Sequence, residues 1–229
     1  MLIRYFFRMT FFVCISFFSI GLICNWSFAS AAVEPWYLTD DIVHGYRPMV
    51  VMENKTIADK INSDINDYIY SESVYFSELS LGKSIGFDYV VTYEDDGVVS
   101  FLLNENGYGG PYHYLIQWKG ITYSKTTGER CKIGCFVKLT DADISNIANQ
   151  NWYSVNGLTL RHNQVANIAY TKIRPFFKVD RVFNNFYLIG NGSIAIIYPK
   201  DYLGTADGEF PVIKMDVGQV KYYNWKNSN

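Results

Sequence analysis

Ile57, Ile61, Ile65 and Ile69 repeat every four residues and form the clearest apolar pattern of the chain. That spacing puts them on one side of an α-helix, with Asp59, Asn62, Asp64 and Asn66 read as its outward face. Asn54 or Thr56 supplies the N-cap. Such a stripe needs a sheet to bury it. Upstream, Tyr46-Arg47-Pro48-Met49-Val50-Val51-Met52 is a first strand, and Pro48 suggests an edge position because it lacks a ladder donor. Pro35 to Gly45 reads as an irregular entry.

Beyond the helix the period changes. Phe87 to Tyr93 and Val98 to Leu103 are β-rich runs joined by Glu94-Asp95-Asp96-Gly97, and Asp-Gly between apolar runs signals a hairpin. Tyr112 to Trp118 and Ile121 to Tyr123 continue as strands, with Gly120 as a turn or bulge. Lys125-Thr126-Thr127-Gly128 is a turn, which completes an antiparallel meander. Thr140 or Asp141 caps a short helix that ends near Trp152. Gln164 to Ile173 is predicted as a further helix, stopped by Pro175. Asn185 to Ile189 and Ser193 to Tyr198 form a hairpin around Gly190-Asn191-Gly192, and Val212 to Val217 is a last strand. The sequence shows no repeat or internal linker. The expectation is one α+β domain over 32–229: an antiparallel sheet (meander plus C-terminal hairpin) with two or three helices packed on one face.

The first 31 residues have a different character. Arg4 and Arg8 precede an apolar run from Met9 to Ile23, and Ala29-Ser30-Ala31 supplies small residues at a cleavage position. This is the layout of a secretory signal peptide. The run is short for a span, which needs ~20 apolar residues. An uncleaved anchor is the minority reading. A lipoprotein reading at Cys24 lacks the small residues expected before it. The mature chain is therefore expected to be periplasmic or secreted, with no stable membrane span after cleavage.

Net charge is −2, so no basic surface points to nucleic acid. Aromatic residues reach 17% and Tyr leads them. That fits pleated strands, and it also fits a recognition face built from rigid amphipathic rings. The mature part keeps two cysteines, Cys131 and Cys135, around Lys132-Ile133-Gly134. A disulfide is the first reading for an oxidising compartment. Free thiols or metal chemistry are the alternatives. A zinc site would need more ligands, and His44, His113 and His162 are scattered.

Catalytic signatures are missing from the sequence: no nucleophile elbow, zincin helix, Walker loop or dinucleotide fingerprint occurs. No cofactor or metal site is expected. Asp95-Asp96, Asp141/Asp143 and Asp207/Glu209 are carboxylate pairs in ordinary turn or helix-start positions. His113 has no acid or nucleophile that the sequence places beside it. The chain is not expected to be an enzyme.

Two stretches resemble a known family. Asn106-Gly107-Tyr108-Gly109-Gly110-Pro111-Tyr112-His113, followed by Ile121-Thr122-Tyr123 and Thr127-Gly128-Glu129, is similar to the "GGAH … y-x-f-D-x-x-T-G-k" signature. That signature belongs to the domain of unknown function at the extracytoplasmic end of RsiV-type anti-sigma factors, also found in PdaC-type peptidoglycan deacetylases. Asn185-Phe186-Tyr187-Leu188, then Gly192 to Pro199, Ala206-Asp207-Gly208 and Val212, resemble its closing segment. Tyr46-Arg47-Pro48 and Ile61-Asn62-Ser63-Asp64-Ile65 resemble its opening. The order holds from about Tyr46 to Val220. Pro111-Tyr112 replace a single small residue of the pattern, Ser124 replaces its Asp, and Cys131/Cys135 fall where the family continues toward a short helix.

The resemblance implies an α+β domain that binds rather than catalyses, with a lysozyme-like hydrolase or peptidoglycan as partner. Tyr108, Tyr112 and His113 are the candidate contact residues, because a glycine-rich loop can project aromatics. The alternatives are an envelope hydrolase using His113 and a structural or assembly component of the envelope.

Overall fold

The isoleucine stripe becomes α1, Lys55–Ser80. Asn54 caps it, its Oδ1 accepting from Ile57 N at 3.3 Å and its carbonyl from Ala58 N at 3.0 Å. The computed structural model describes residues 31–80, 84–108, 114–140, 142–143, 145, 152–156, 169–172, 182–189, 192–199, 210–215 and 222–223. Residues 1–30 of the predicted leader, Tyr112 and His113 lie outside these. Ala31–Asn229 forms one compact unit.

Strands β1 (Ala32–Thr39), β2 (Val43–Val51), β3 (Ser84–Glu94), β4 (Val98–Tyr108) and β5 (Tyr114–Ser124) form one sheet in chain order. The short β6 (Val137–Lys138) pairs with β12 (Tyr222–Tyr223). Strands β7 (Trp152–Asn156), β8 (Ala169–Lys172), β9 (Phe186–Ile189), β10 (Ser193–Ile197) and β11 (Phe210–Met215) make a second sheet in the order β8-β7-β11-β10-β9, antiparallel throughout. The α+β class holds, with two corrections. The first sheet is mixed, because α1 carries the chain from β2 to a parallel β3. And α1 is the long helix among the described residues, where two or three helices were expected.

Helix and sheets stack in layers. Ile61 and Ile65 of α1 are fully buried against Ile85, Phe87, Phe101 and Ile121 of the first sheet. Each such side chain contributes roughly 1.5–3 kcal/mol of burial. On the opposite face, Leu102 and Trp118 pack with Tyr187, Ala195, Ile197 and Val212 of the second sheet. A further cluster joins Phe136 and Val137 to Phe186, Ile194, Ile213 and Met215.

Several local expectations change. The stretch read as irregular is β1, and Pro35 lies opposite Pro48. Asp40 N bonds Val43 O, so the alternation along the hairpin makes Pro35/Pro48 a pair without ladder bonds. Both rings then sit where no donor is needed between the strands, and Pro35 removes a donor from the sheet's open edge. Asn62, read as outward, turns toward β2 instead, and Asp64 stays partly exposed while bonding the sheet. The Asn62 carboxamide accepts from Val50 N at 2.8 Å and donates to Val50 O at 2.9 Å, so it acts as a missing strand beside β2. Asp64 accepts from Tyr123 Oη at 2.6 Å and from Arg130 Nε.

Gly120 is inside a continuous β5, with no turn or bulge there. Its missing side chain admits the second sheet: a Cβ there would stand 2.2 Å from Phe186 O. Asn185 clips the same open edge, Oδ1 accepting from Gly120 N at 2.7 Å and Nδ2 donating to Trp118 O at 2.9 Å. The predicted helix Gln164–Ile173 is contradicted at its end, since Ala169–Lys172 is β8 and pairs with Tyr153 to Asn156. Cross-strand pairing outweighs a weak helical period there. Likewise Trp152 opens β7, although the short helix is real at its start. Asp143 accepts from Thr140 N at 2.9 Å and Thr140 Oγ1 at 2.7 Å, and Ala142, Asp143 and Ser145 are helical.

Candidate functional site

Strand β4 presents different chemistry on its two faces. Side chains alternate along a strand, and Asn104-Glu105-Asn106 puts three polar residues in its middle, with Asn104 and Glu105 buried. Toward α1, Glu105 is only 1% exposed and accepts a hydrogen bond from Tyr68 Oη. Burial pushes its carboxyl up to about 7. The Tyr68 bond and Lys119 act against that rise, and Glu72 adds to it. Burial also raises Glu72, opposed by Lys119. The Tyr68 ring lies under two cations, Lys119 Nζ at 5.7 Å and the Arg130 guanidinium at 5.4 Å. Burial, then the Glu105 charge, raises the Tyr68 hydroxyl. This cluster holds an exchangeable proton near neutrality at the contact between α1 and β4.

Toward the second sheet, β4 turns Ser100, Leu102, Asn104 and Asn106. Ser100 and Thr122 hydroxyls share a hydrogen bond at 2.8 Å, and Ser100 Oγ accepts from Leu188 N at 2.9 Å, which ties β9 to the first sheet. Asn106 Nδ2 donates to Asn104 Oδ1. That leaves Asn104 Nδ2 and Asn106 Oδ1 buried and without a hydrogen-bond partner. Asn104 is flanked by Asp88 on β3 and Trp118 on β5; Asn106 is flanked by Gly86 and Ile116. His44 pairs with Gly86, and a Cβ at that glycine would stand 3.0 Å from its Nε2. Both atoms are sealed from solvent on the strand face that meets the second sheet.

The candidate contact residues belong to the same end of the hairpin. Tyr108 ends β4 and pairs with Tyr114, so the glycine-rich stretch is the connection between two paired strands, as expected. Tyr112 and His113 fall within that connection. Gly107 has a packing role: a Cβ there would meet Phe76 Cε2 at 1.8 Å. Asp95 serves its turn, accepting from Gly97 N and Val98 N at 2.8 Å each.

Cys131 and Cys135 are both free thiols, so the expected bridge is not formed. Asn104, Glu105 and Asn106 were missed as site residues. Their sequence signal was available, because three successive polar residues break the apolar run Phe101-Leu102-Leu103 of the strand.

No family pattern matches the sequence, and no curated protein does. Solved structures do. A DUF3298 family member from Bacteroides fragilis superposes with a TM-score of 0.51 at 13% identity, covering 82% of this chain and 90% of that one. A DUF3298 protein from Pseudomonas aeruginosa is similar at TM-score 0.46 and 11% identity, over 83% and 89% of the two chains. The Bacteroides likeness shows a shared fold, that of a domain of unknown function. Among the described residues, no helix is long and apolar enough to cross a membrane.

Proposed function

We propose that this chain is an exported, non-enzymatic binding domain of the cell envelope that takes an amide-bearing ligand of the peptidoglycan type. The observation that carries the reading is the unpartnered donor and acceptor of Asn104 and Asn106. Buried polar groups are nearly always satisfied, and each one left unmade costs about 1–3 kcal/mol. The N-acetyl groups of peptidoglycan offer the complementary C=O and N–H. Export rests on Arg4, Arg8 and the apolar run that follows them.

A lysozyme-like hydrolase is the second reading. It is favoured by the family resemblance of Asn106 to His113, and it would engage Tyr108, Tyr112 and His113.

Calorimetry with soluble muropeptides tests the first reading. Saturable binding is expected for N-acetylated fragments and a large loss for de-N-acetylated ones. Equal affinity for both, or binding to lysozyme alone, would overturn the amide assignment.

A further inference from the structure

The cysteine pair has its own geometry, independent of the β4 site. Cys131 follows β5, and its N–H donates to Thr122 O at 2.8 Å. Ile133–Cys135 is a single 3-10 turn, closed by Cys135 N to Lys132 O at 2.9 Å and Phe136 N to Ile133 O at 3.0 Å. Asn184 Oδ1 pins the start of the turn by accepting from Ile133 N at 3.1 Å. The turn spaces the two cysteines four positions apart in unequal surroundings. Cys131 is part-buried against the cluster around Phe136 and Phe186, whereas Cys135 is exposed.

We propose that Cys131 and Cys135 form a thiol–disulfide exchange site, with Cys135 the attacking thiol and Cys131 the resolving one. The oxidant is a disulfide, either a small molecule or an oxidised dithiol on another protein. Cys135, as thiolate, attacks one sulfur of that disulfide. The S–S bond breaks, a mixed disulfide forms at Cys135, and the first thiolate leaves and takes up a proton. Cys131 then loses its proton and attacks the Cys135 sulfur, expelling the second thiolate. Two protein thiols lose two electrons and two protons; the external disulfide becomes two thiols.

Accessibility sets the order, because an exchange-active thiol must be reached. Burial, then the nearby Cys135 charge, pushes the Cys131 thiol up to about 11. The second step is therefore the slow one at neutral pH, and the mixed disulfide accumulates before it resolves. The loop closed by the bridge is small, so its entropic stabilisation is small too and the bridge remains reducible.

The experiment is a time course of the folded full-length chain carrying Cys14→Ser and Cys24→Ser, so that Cys131 and Cys135 are its two thiols, with oxidised glutathione, read by intact mass and peptide mapping. The expected course is an adduct on Cys135 first, then its conversion to a chain lighter by two hydrogens. Cys131→Ser is expected to stop at the Cys135 adduct, and Cys135→Ser to react at least about tenfold more slowly. Limiting iodoacetamide on the same two-thiol chain reads the same order, and Cys135 is expected to be alkylated first. Equal labelling of the two thiols, a first adduct on Cys131, or a Cys135 adduct that never resolves in the two-thiol chain would overturn the proposal.

Discussion

Tyr68 of α1 donates its hydroxyl hydrogen to the Glu105 carboxylate of β4, joining the helix to the sheet at a residue that is 1% exposed. Burial raises Glu105 from an ordinary 4.5 to about 7. The folded state therefore holds this proton more tightly than the unfolded one. Its stabilising contribution is complete below about pH 4.5 and is lost as pH rises through about 7. The difference corresponds to roughly 3 kcal/mol. Glu105→Gln, a neutral mimic, is expected to flatten the fall in melting temperature between pH 5 and 8, an interval that brackets the raised value. A wild-type slope retained in the variant would refute the assignment, with Glu72 as the next group to examine because burial raises it too.

Asn62 and Asn185 do the same work at separate strands: each carboxamide pairs with both an N–H and a C=O of the backbone. Replacing either by Leu leaves two backbone groups without their partner, at a cost of about 1–3 kcal/mol for each that stays buried. Urea unfolding is expected to show this for Asn62→Leu and Asn185→Leu, while Asn66→Ala on the exposed side of α1 stays close to wild type. Similar midpoints for Asn62→Leu and Asn66→Ala would contradict the strand-mimic role.

Gly107 and Gly120 are held by different obstacles. At Gly107 a Cβ meets the Phe76 ring at 1.8 Å, a side chain; at Gly120 it meets Phe186 O at 2.2 Å, which is backbone. Gly107→Ala should therefore be less costly in a Phe76→Ala background, with a coupling above about 1 kcal/mol. Gly120→Ala should show none with Phe76→Ala. Additive effects at Gly107 and Phe76 would mean that the helix does not press on that glycine.

Part of the fold was readable because its signals are local. The Ile57–Ile69 stripe, the Asp95-Asp96-Gly97 turn and the β9–β10 hairpin each follow from periods of a few residues. The polar residues of α1 were harder, because period alone puts Asn62 and Asp64 on a water-facing arc. What they bond is backbone at Val50, on the strand just before the helix, and a phenol at Tyr123, on a strand distant in sequence. Gly120 misled for the same reason: a glycine inside a strand signals a bend or a close approach, and only the position of Phe186 decides between them.

The parallel β2–β3 pair depends on where α1 delivers the chain. Gly107 to His113 marked the β4–β5 connection, whereas the partnerless polar atoms of Asn104 and Asn106 show only in the folded chain.

The most direct test of the amide-binding claim is the pair of Asn104 and Asn106 side-chain NH2 resonances, followed by NMR as an N-acetylated muropeptide is added. Saturable shifts of the Asn104 NH2 signals are predicted, along with their loss, and loss of binding, in a folded Asn104→Leu variant. Muropeptide binding with those resonances unmoved, or binding undiminished in Asn104→Leu, would contradict it.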